Sequence, residues 1–249
     1  MKIVRSVNII CFVMLVLFLA GGCGNYAAND LPSTEQVIEE IQRAGEAAST
    51  IFAEVEETIM QDNKLQLSLN YTMWRKNDNV RIEGSIPDLG RAVQVFENNR
   101  LSVYVEERGV IYVYNQSANQ ERQSNNVSSI SFSVSEENIL QMMRGLGSLF
   151  EVSVIRFEDV NNERVVFLGL RPVNATHESR FTWWVDMDTW FPIKREFSLK
   201  NYVRSVSYAN LKINESLDES LFKLNVPSDV QIINALPDAG FLPNVGAGE

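Results

Sequence analysis

The chain has 249 residues, 45% hydrophobic and 22% charged, which suits one globular domain plus appendages and excludes both a disordered chain and a multi-span membrane protein. Its 32 acidic residues outnumber 22 basic ones, and a net charge of −10 is the wrong sign for a nucleic-acid binder, so no nucleic-acid partner is expected. Only Cys11, Cys23 and the single histidine, His177, are available for cysteine or histidine chemistry, which leaves the body without a disulfide framework or a histidine-based metal site.

Lys2 and Arg5 precede an apolar run from Ile9 to Ala20, too short to span a bilayer comfortably and suited to a signal-peptide core. The run ends Leu19-Ala20-Gly21-Gly22-Cys23-Gly24. Small residues before a cysteine resemble the bacterial lipobox, although Ala20 stands where leucine is commoner. That resemblance implies a signal peptide over 1–22 and diacylglycerol and acyl groups, such as palmitate, on Cys23. The other readings are an ordinary secretory signal or an uncleaved anchor. Loss of Lys2 and Arg5 takes the bases from 22 to 20 against 32 acids, a balance of −12. Such a body stands off anionic headgroups while the lipid holds it to the membrane. Residues 23–32 then read as lipidated cysteine and tether, 33–235 as the folded domain and 236–249 as a flexible tail.

Ser33 or Thr34 can cap a helix, with Glu35 or Gln36 placed to complete a capping box. Val37, Ile38, Ile41, Ala44, Ala48, Ile51, Phe52, Val55 and Ile59 fall at helical spacing and predict an amphipathic helix of roughly 25 residues, ending near Gln61. Its acidic side (Glu39, Glu40, Glu46, Glu54, Glu56, Glu57) reads as a solvated face. Strict alternation follows in Leu65, Leu67, Leu69, Tyr71 and Met73. Further strands are predicted around Val80–Ile82, Val93–Val95, Leu101–Val105 and Val110–Tyr114, joined by turns about every ten residues, an antiparallel meander. Residues 115–129 read as a polar loop and Ile130–Val134 as a brief strand.

A second helix is predicted over 136–150, capped by Ser135, with Ile139, Leu140, Met143 and Leu146 on one face and Gly145 and Gly147 weakening it. Together with Met142, Leu149 and Phe150 it reads either as a movable lid hinged at the glycines or as a plain core helix. Strands resume at Val152–Phe157, Val165–Leu170, Phe181–Val185, Ile193–Leu199 and Val203–Ile213, with a helical turn over Asp218–Leu221. About ten alternating strands partly closed on two helices leave room for a cavity.

The order of these elements and several phrases resemble the LolA/LolB-like lipoprotein-localisation superfamily. The phrases are Tyr71-Thr72-Met73-Trp74-Arg75-Lys76 leading to Asn79-Val80-Arg81-Ile82-Glu83, Trp184-Val185-Asp186-Met187-Asp188-Thr189-Trp190-Phe191-Pro192-Ile193-Lys194, and the ending Val206 to Asn214 followed by Leu221-Phe222-Lys223-Leu224 and Val226-Pro227. The match would span about residues 35–233. It implies an α+β fold, an incomplete antiparallel β-barrel covered by two helices, whose cavity takes up lipid or lipoprotein acyl chains. It equally implies members that act through an envelope protein partner, as in stress sensing or spore germination. The soluble carriers of that superfamily have no lipid anchor, so an anchored, non-enzymatic lipoprotein on the extracytoplasmic face of a bacterial membrane is expected here.

Trp74, Trp183, Trp184, Trp190, Met143 and Leu146 are the candidate lining of a hydrophobic-ligand site, against the alternative of ordinary core packing. Strand alternation sends one of Trp183 and Trp184 inward and the other outward. Asp186 and Asp188 have calcium-loop spacing, but no Asn/Asp-Gly continuation and no glutamate at the required distance follow, and a polar turn is the better reading. His177 sits in a polar hairpin loop. No nucleophile elbow and no phosphate loop occur in the sequence.

Overall fold

The computed structural model describes residues 31–87, 89–115, 139–160, 163–173 and 179–234. The signal segment, Cys23 and the tether as far as Asp30 lie outside the described residues, as do the loop and brief strand of 116–134, Ser135 and the first residues of the predicted second helix, His177 and the tail.

Ser33 opens helix α1 (Thr34–Ala47) with a complete capping box: Gln36 N–H donates to Ser33 Oγ at 3.3 Å and Ser33 N–H to Gln36 Oε1 at 2.8 Å. Val37, Ile41 and Gly45 are its buried stripe. The helix stops at Ala47, well short of the predicted Gln61, and residues Thr50–Gln61 form strand β1. Two causes decide this. From Ile51 the buried positions are Ile51, Ala53, Val55 and Glu57, a period of two, in a segment rich in β-branched residues. The corner is also held from outside, since Ser49 N–H donates to Asn214 Oδ1 at 2.8 Å and Thr50 Oγ1 to the Glu215 carbonyl at 2.6 Å. Long-range pairing thus overrides a helical spacing that several apolar positions satisfied by coincidence.

The meander continues through β2 (Lys64–Lys76), β3 (Asn79–Ile86), β4 (Gly90–Glu97), β5 (Arg100–Val105) and β6 (Val110–Asn115). Its turns use Asn and Asp at positive φ, at Asp62, Asn63, Asn77, Asn98 and Asn99. Residues 139–144 are helical, Gly145 is a turn, and α2 (Leu146–Leu149) leads into β7 (Phe150–Val160). A second meander follows: β8 (Glu163–Pro172), β9 (Ser179–Asp186), β10 (Phe191–Leu199) and β11 (Tyr202–Ile213). Asp218 caps a short 3-10 turn at Glu219–Phe222, and β12 (Gln231–Asn234) ends the described chain.

The twelve strands among the described residues join one sheet in the order β12-β6-β5-β4-β3-β2-β1-β11-β10-β9-β8-β7. Among the described residues the sheet does not close. Every pairing is antiparallel except β12 with β6, an addition the alternation pattern did not predict. The two meanders meet where β1 pairs with β11, with Val55 opposite Tyr208 and Glu57 opposite Val206. The fold is therefore an α+β half-barrel with helices on its concave side. No helix among the described residues is long and apolar enough to cross a membrane.

The main core lies between the helices and the concave face, where Val37, Ile41, Ile51, Met73, Ile82, Met143, Leu168 and Trp183 are all buried. Helix α1 comes close to the 139–144 helix at Gly45, where an added Cβ would sit 2.8 Å from Met143 Cβ. Gln42 Nε2 donates to the Arg144 carbonyl at 3.1 Å and Arg144 Nε to the Gly45 carbonyl at 3.0 Å, so side chains bridge the two helices. The convex face has a smaller cover. The Glu219–Phe222 turn packs against β3 and β4, Phe222 is 2% exposed, and Arg81 Nη1 donates to the Leu221 carbonyl at 2.8 Å.

Candidate functional site

A pocket of about 520 Å³, open to one side, lies between the 139–149 helical segment and the concave face of β9, β10 and β11. Gln141, Met142 and Leu149 form its helical wall, with Phe150 at the start of β7. Phe181 and Trp183 come from β9, Arg195 and Phe197 from β10, and Arg204 and Val206 from β11. These strand residues share a face because they are cross-strand partners: Trp183 opposes Arg195, Arg195 opposes Val206, Phe181 opposes Phe197, and Phe197 opposes Arg204. The lining is thus mostly apolar, with two guanidinium groups set into it.

An aromatic row runs along the wall. Phe150 and Phe181 meet edge to face with centroids 5.5 Å apart, Phe181 and Phe197 are tilted at 4.8 Å, and Phe197 and Tyr202 meet at 6.2 Å. Burial raises the Tyr202 phenol above its ordinary pKa, with the Glu57 carboxylate adding to the shift and the Arg204 charge opposing it.

The polar side of the cavity is built on the junction between the meanders. Arg204 Nε donates to Glu57 Oε1 at 2.7 Å, and the Glu57 side chain is only 5% exposed. Tyr71 Oη contacts Glu57 Oε2 at 3.4 Å. Arg195 donates through Nη2 to the Tyr208 hydroxyl, and its guanidinium lies 5.5 Å from the Tyr208 ring centroid. Trp183 is fully buried, and its Nε1 has no acceptor among the described residues.

The predicted lining residues part company. Trp183 lines the cavity. Trp184 points to the opposite face, where its ring meets Phe167 edge to face at 5.7 Å and Lys194 Nζ lies 4.7 Å above it. Trp74 is on that face too, with its ring 5.8 Å from that of Phe52, its cross-strand partner. Trp190 follows the Asp186 turn at φ 55° and packs at the edge of the main core. Met143 and Leu146 are fully buried on the core side of their helix, while Gln141, Met142 and Leu149 face the cavity. The segment thus has one side in the core and another against the cavity.

Sequence reasoning missed the polar members. Glu57, read as part of a solvated helix face, is buried inside the barrel, while Glu54 and Glu56 are exposed. Arg195 shares strand parity with the inward Phe197, and a charge at an inward position was the signal that could have flagged it. Asp186 is a turn former: its carboxylate accepts from Asp188 N–H at 3.1 Å and from Thr189 Oγ1 at 2.7 Å. Asp188 pairs with Arg164 at 2.5 Å. No group of three metal-ligating side chains occurs among the described residues.

The class these observations define is an open α+β half-barrel built of two antiparallel meanders. Solved structures with a similar fold include an uncharacterized conserved protein from Thermus thermophilus, at TM-score 0.51 and 10% identity, covering 82% of this chain and 100% of that one. The Mycobacterium tuberculosis lipoprotein LppX is similar at TM-score 0.47 and 12% identity, over 75% of this chain and 99% of that one. A LolA superfamily protein from Nitrosomonas europaea is similar at TM-score 0.35 and 13% identity, over 78% of this chain and 99% of that one. No protein-family model and no curated protein matches the sequence.

Proposed function

We propose that this chain is a bacterial cell-envelope lipoprotein, held to the membrane by acyl groups on Cys23, whose half-barrel takes an acyl chain or similar hydrophobic ligand into its cavity. It acts as a binding protein and not as an enzyme. The observation that carries the reading is the cavity itself, about 520 Å³ with an aromatic row along its wall. A pocket of that size and lining favours apolar ligands, at about 0.8 kcal/mol per buried CH2 group. The lipobox-like Leu19-Ala20-Gly21-Gly22-Cys23 supports the anchor.

The test is native mass spectrometry of the full chain, extracted from its host membrane and released from detergent in the gas phase. The expected result has two parts. A covalent mass of acylated glycerol disappears in Cys23→Ser, and a dissociable lipid is lost on Phe181→Ala while Trp184→Ala retains it. A chain that stays free of lipid after incubation with phospholipid and acylated peptide would refute ligand binding. It would indicate a scaffold that works through an envelope protein partner.

A further inference from the structure

We propose that the rim of the half-barrel where β1 turns into β2 and β10 into β11 docks on a bilayer with anionic headgroups, the same membrane that holds Cys23. The proposal rests on the anchoring reading above and adds which face of the body meets the lipid.

Strand register assembles this rim. Met60 pairs with Leu65 and with Val203, Leu199 with Tyr202 and with Ser179, and Phe150 with Pro172. Val173 N–H donates to the Leu149 carbonyl at 3.0 Å, which ends the row beside the 139–149 segment. From β2 to β7 the row covers six strand spacings, roughly 29 Å.

Its tips are apolar. Leu65 is 60% exposed and Val173 52%, and Met60 and Leu149 are exposed as well. Exposed aliphatic residues scattered singly mean little, whereas four along one rim mark a contact surface.

Charge names the partner. Lys64, Arg171, Arg180 and Lys200 are exposed on the same strand ends, and among the described residues none of them makes a side-chain hydrogen bond or ion pair. Elsewhere in the second meander bases are matched, Arg156 by Glu158, Arg164 by Asp188 and Arg204 by Glu57. Of the rim's carboxylates, Asp62 accepts from Asn201 Nδ2 at 2.5 Å and Glu151 lies opposite Arg171. Bases flanking exposed aliphatic tips suit a surface of phosphate headgroups above acyl chains. The net charge of −10 does not cancel this field. Glu163, Asp186 and Asp188 sit at the far ends of strands such as the nine-residue β10, roughly 30 Å away, against a Debye length of about 8 Å at physiological salt.

The anchor is within reach. A Cβ added at Gly147, two residues before Leu149, would lie 3.4 Å from Ile38 Cγ2, so the N-terminal half of α1 runs beside the rim. Residues 24–32, between Cys23 and Ser33, extend at most about 30 Å. Docking would also turn Leu149, which lines the pocket, toward the acyl layer.

The experiment uses the full chain in a Cys11→Ala background, with Leu65→Cys on the rim or Glu163→Cys at the opposite strand end carrying an NBD fluorophore. The chain is reconstituted in phosphatidylcholine liposomes with or without phosphatidylglycerol. The label at 65 is expected to shift to the blue and to be quenched by brominated acyl chains only when phosphatidylglycerol is present, and the label at 163 to stay in water throughout. Lys64→Gln with Lys200→Gln should lower the ratio of docked to free label about fivefold for each base removed. Thermal melting confirms that this variant folds; should it not, Arg171→Gln with Arg180→Gln takes its place. A label at 65 that stays in water, equal responses at 65 and 163, equal responses in the two lipids, or a folded base variant that docks like the parent each overturns the proposal. Anchoring is read separately. A full chain without acyl mass on Cys23 that does not float with phosphatidylcholine liposomes overturns the anchoring reading. Docking of its label at 65 on phosphatidylglycerol liposomes would then still support the rim, and failure to dock would overturn it.

Discussion

Replacing Arg204 by methionine removes the partner of a carboxylate that has almost no water around it. Glu57 is 5% exposed at its side chain, receives Arg204 Nε at 2.7 Å, and has Tyr71 Oη only at 3.4 Å as further support. Stranding one member of a buried ion pair costs about 3–5 kcal/mol. Arg204 is itself 28% exposed, so water already screens part of the pair and the lower end, about 3 kcal/mol, is the appropriate figure. For a domain of this size that corresponds to a fall of roughly 6–12 °C in Tm. Glu57→Leu leaves the better-hydrated partner behind and should cost less, about 1–2 kcal/mol. The double variant Glu57→Leu with Arg204→Met leaves no stranded charge and should fall within about 1 kcal/mol of the parent, because well-packed apolar replacements of ion pairs are often neutral. Urea denaturation of all four proteins closes the cycle, with an expected coupling of about 3–5 kcal/mol. A cost for Arg204→Met below about 1 kcal/mol, with additive single effects, would refute the view that Glu57 is dry and depends on Arg204.

Gly45→Val should destabilise the domain by about 1–3 kcal/mol in thermal melts, since even a Cβ at Gly45 would lie 2.8 Å from Met143 Cβ and the helices would have to separate. Phe222→Ala should cost about 3–5 kcal/mol, measured by urea denaturation, because Phe222 is 2% exposed in the convex-side cover; the aromatic row of the cavity lies on the other face and ligand affinity should be unchanged. Stability should fall as pH rises from about 10 towards 12. Burial pushes the Tyr114 phenol up to about 12, so the unfolded chain releases that proton first and folding loses ground through this window. Tyr114→Phe should flatten the alkaline limb of a melting-temperature profile.

The alternating strands from β2 onward and the start of α1 were legible because each rests on local rules. Leu69, Tyr71 and Met73 alternate inward without interruption, and Ser33 with Gln36 writes its own capping box. The end of α1 was not legible. Ile51, Phe52, Val55 and Ile59 satisfy helical spacing while Ile51, Ala53 and Val55 satisfy strand spacing, and only contacts to Asn214 and Glu215, far along the chain, decide between them. The same error hid the polar side of the cavity, because a glutamate on a helix flank reads as solvated and one on a strand beside Val55 reads as buried. Trp183 and Trp184 illustrate the opposite case. Alternation foretold that they would part, but which of them faces inward depends on where the helices lie.

The junction of β1 with β11 has a kinetic meaning. Within each half, antiparallel neighbours along the chain are joined by short turns, so β1 to β6 and β7 to β11 each zip up through local hairpins on the microsecond scale. The bond from Arg204 to Glu57 instead joins positions 147 residues apart, and closing so long a loop is an entropic toll that local contacts do not share. Docking of the two preformed halves is then the slow event in refolding. Changes at Val55, Glu57, Val206 and Tyr208 set its rate, and a nascent chain still short of β11 presents β1 as a bare edge.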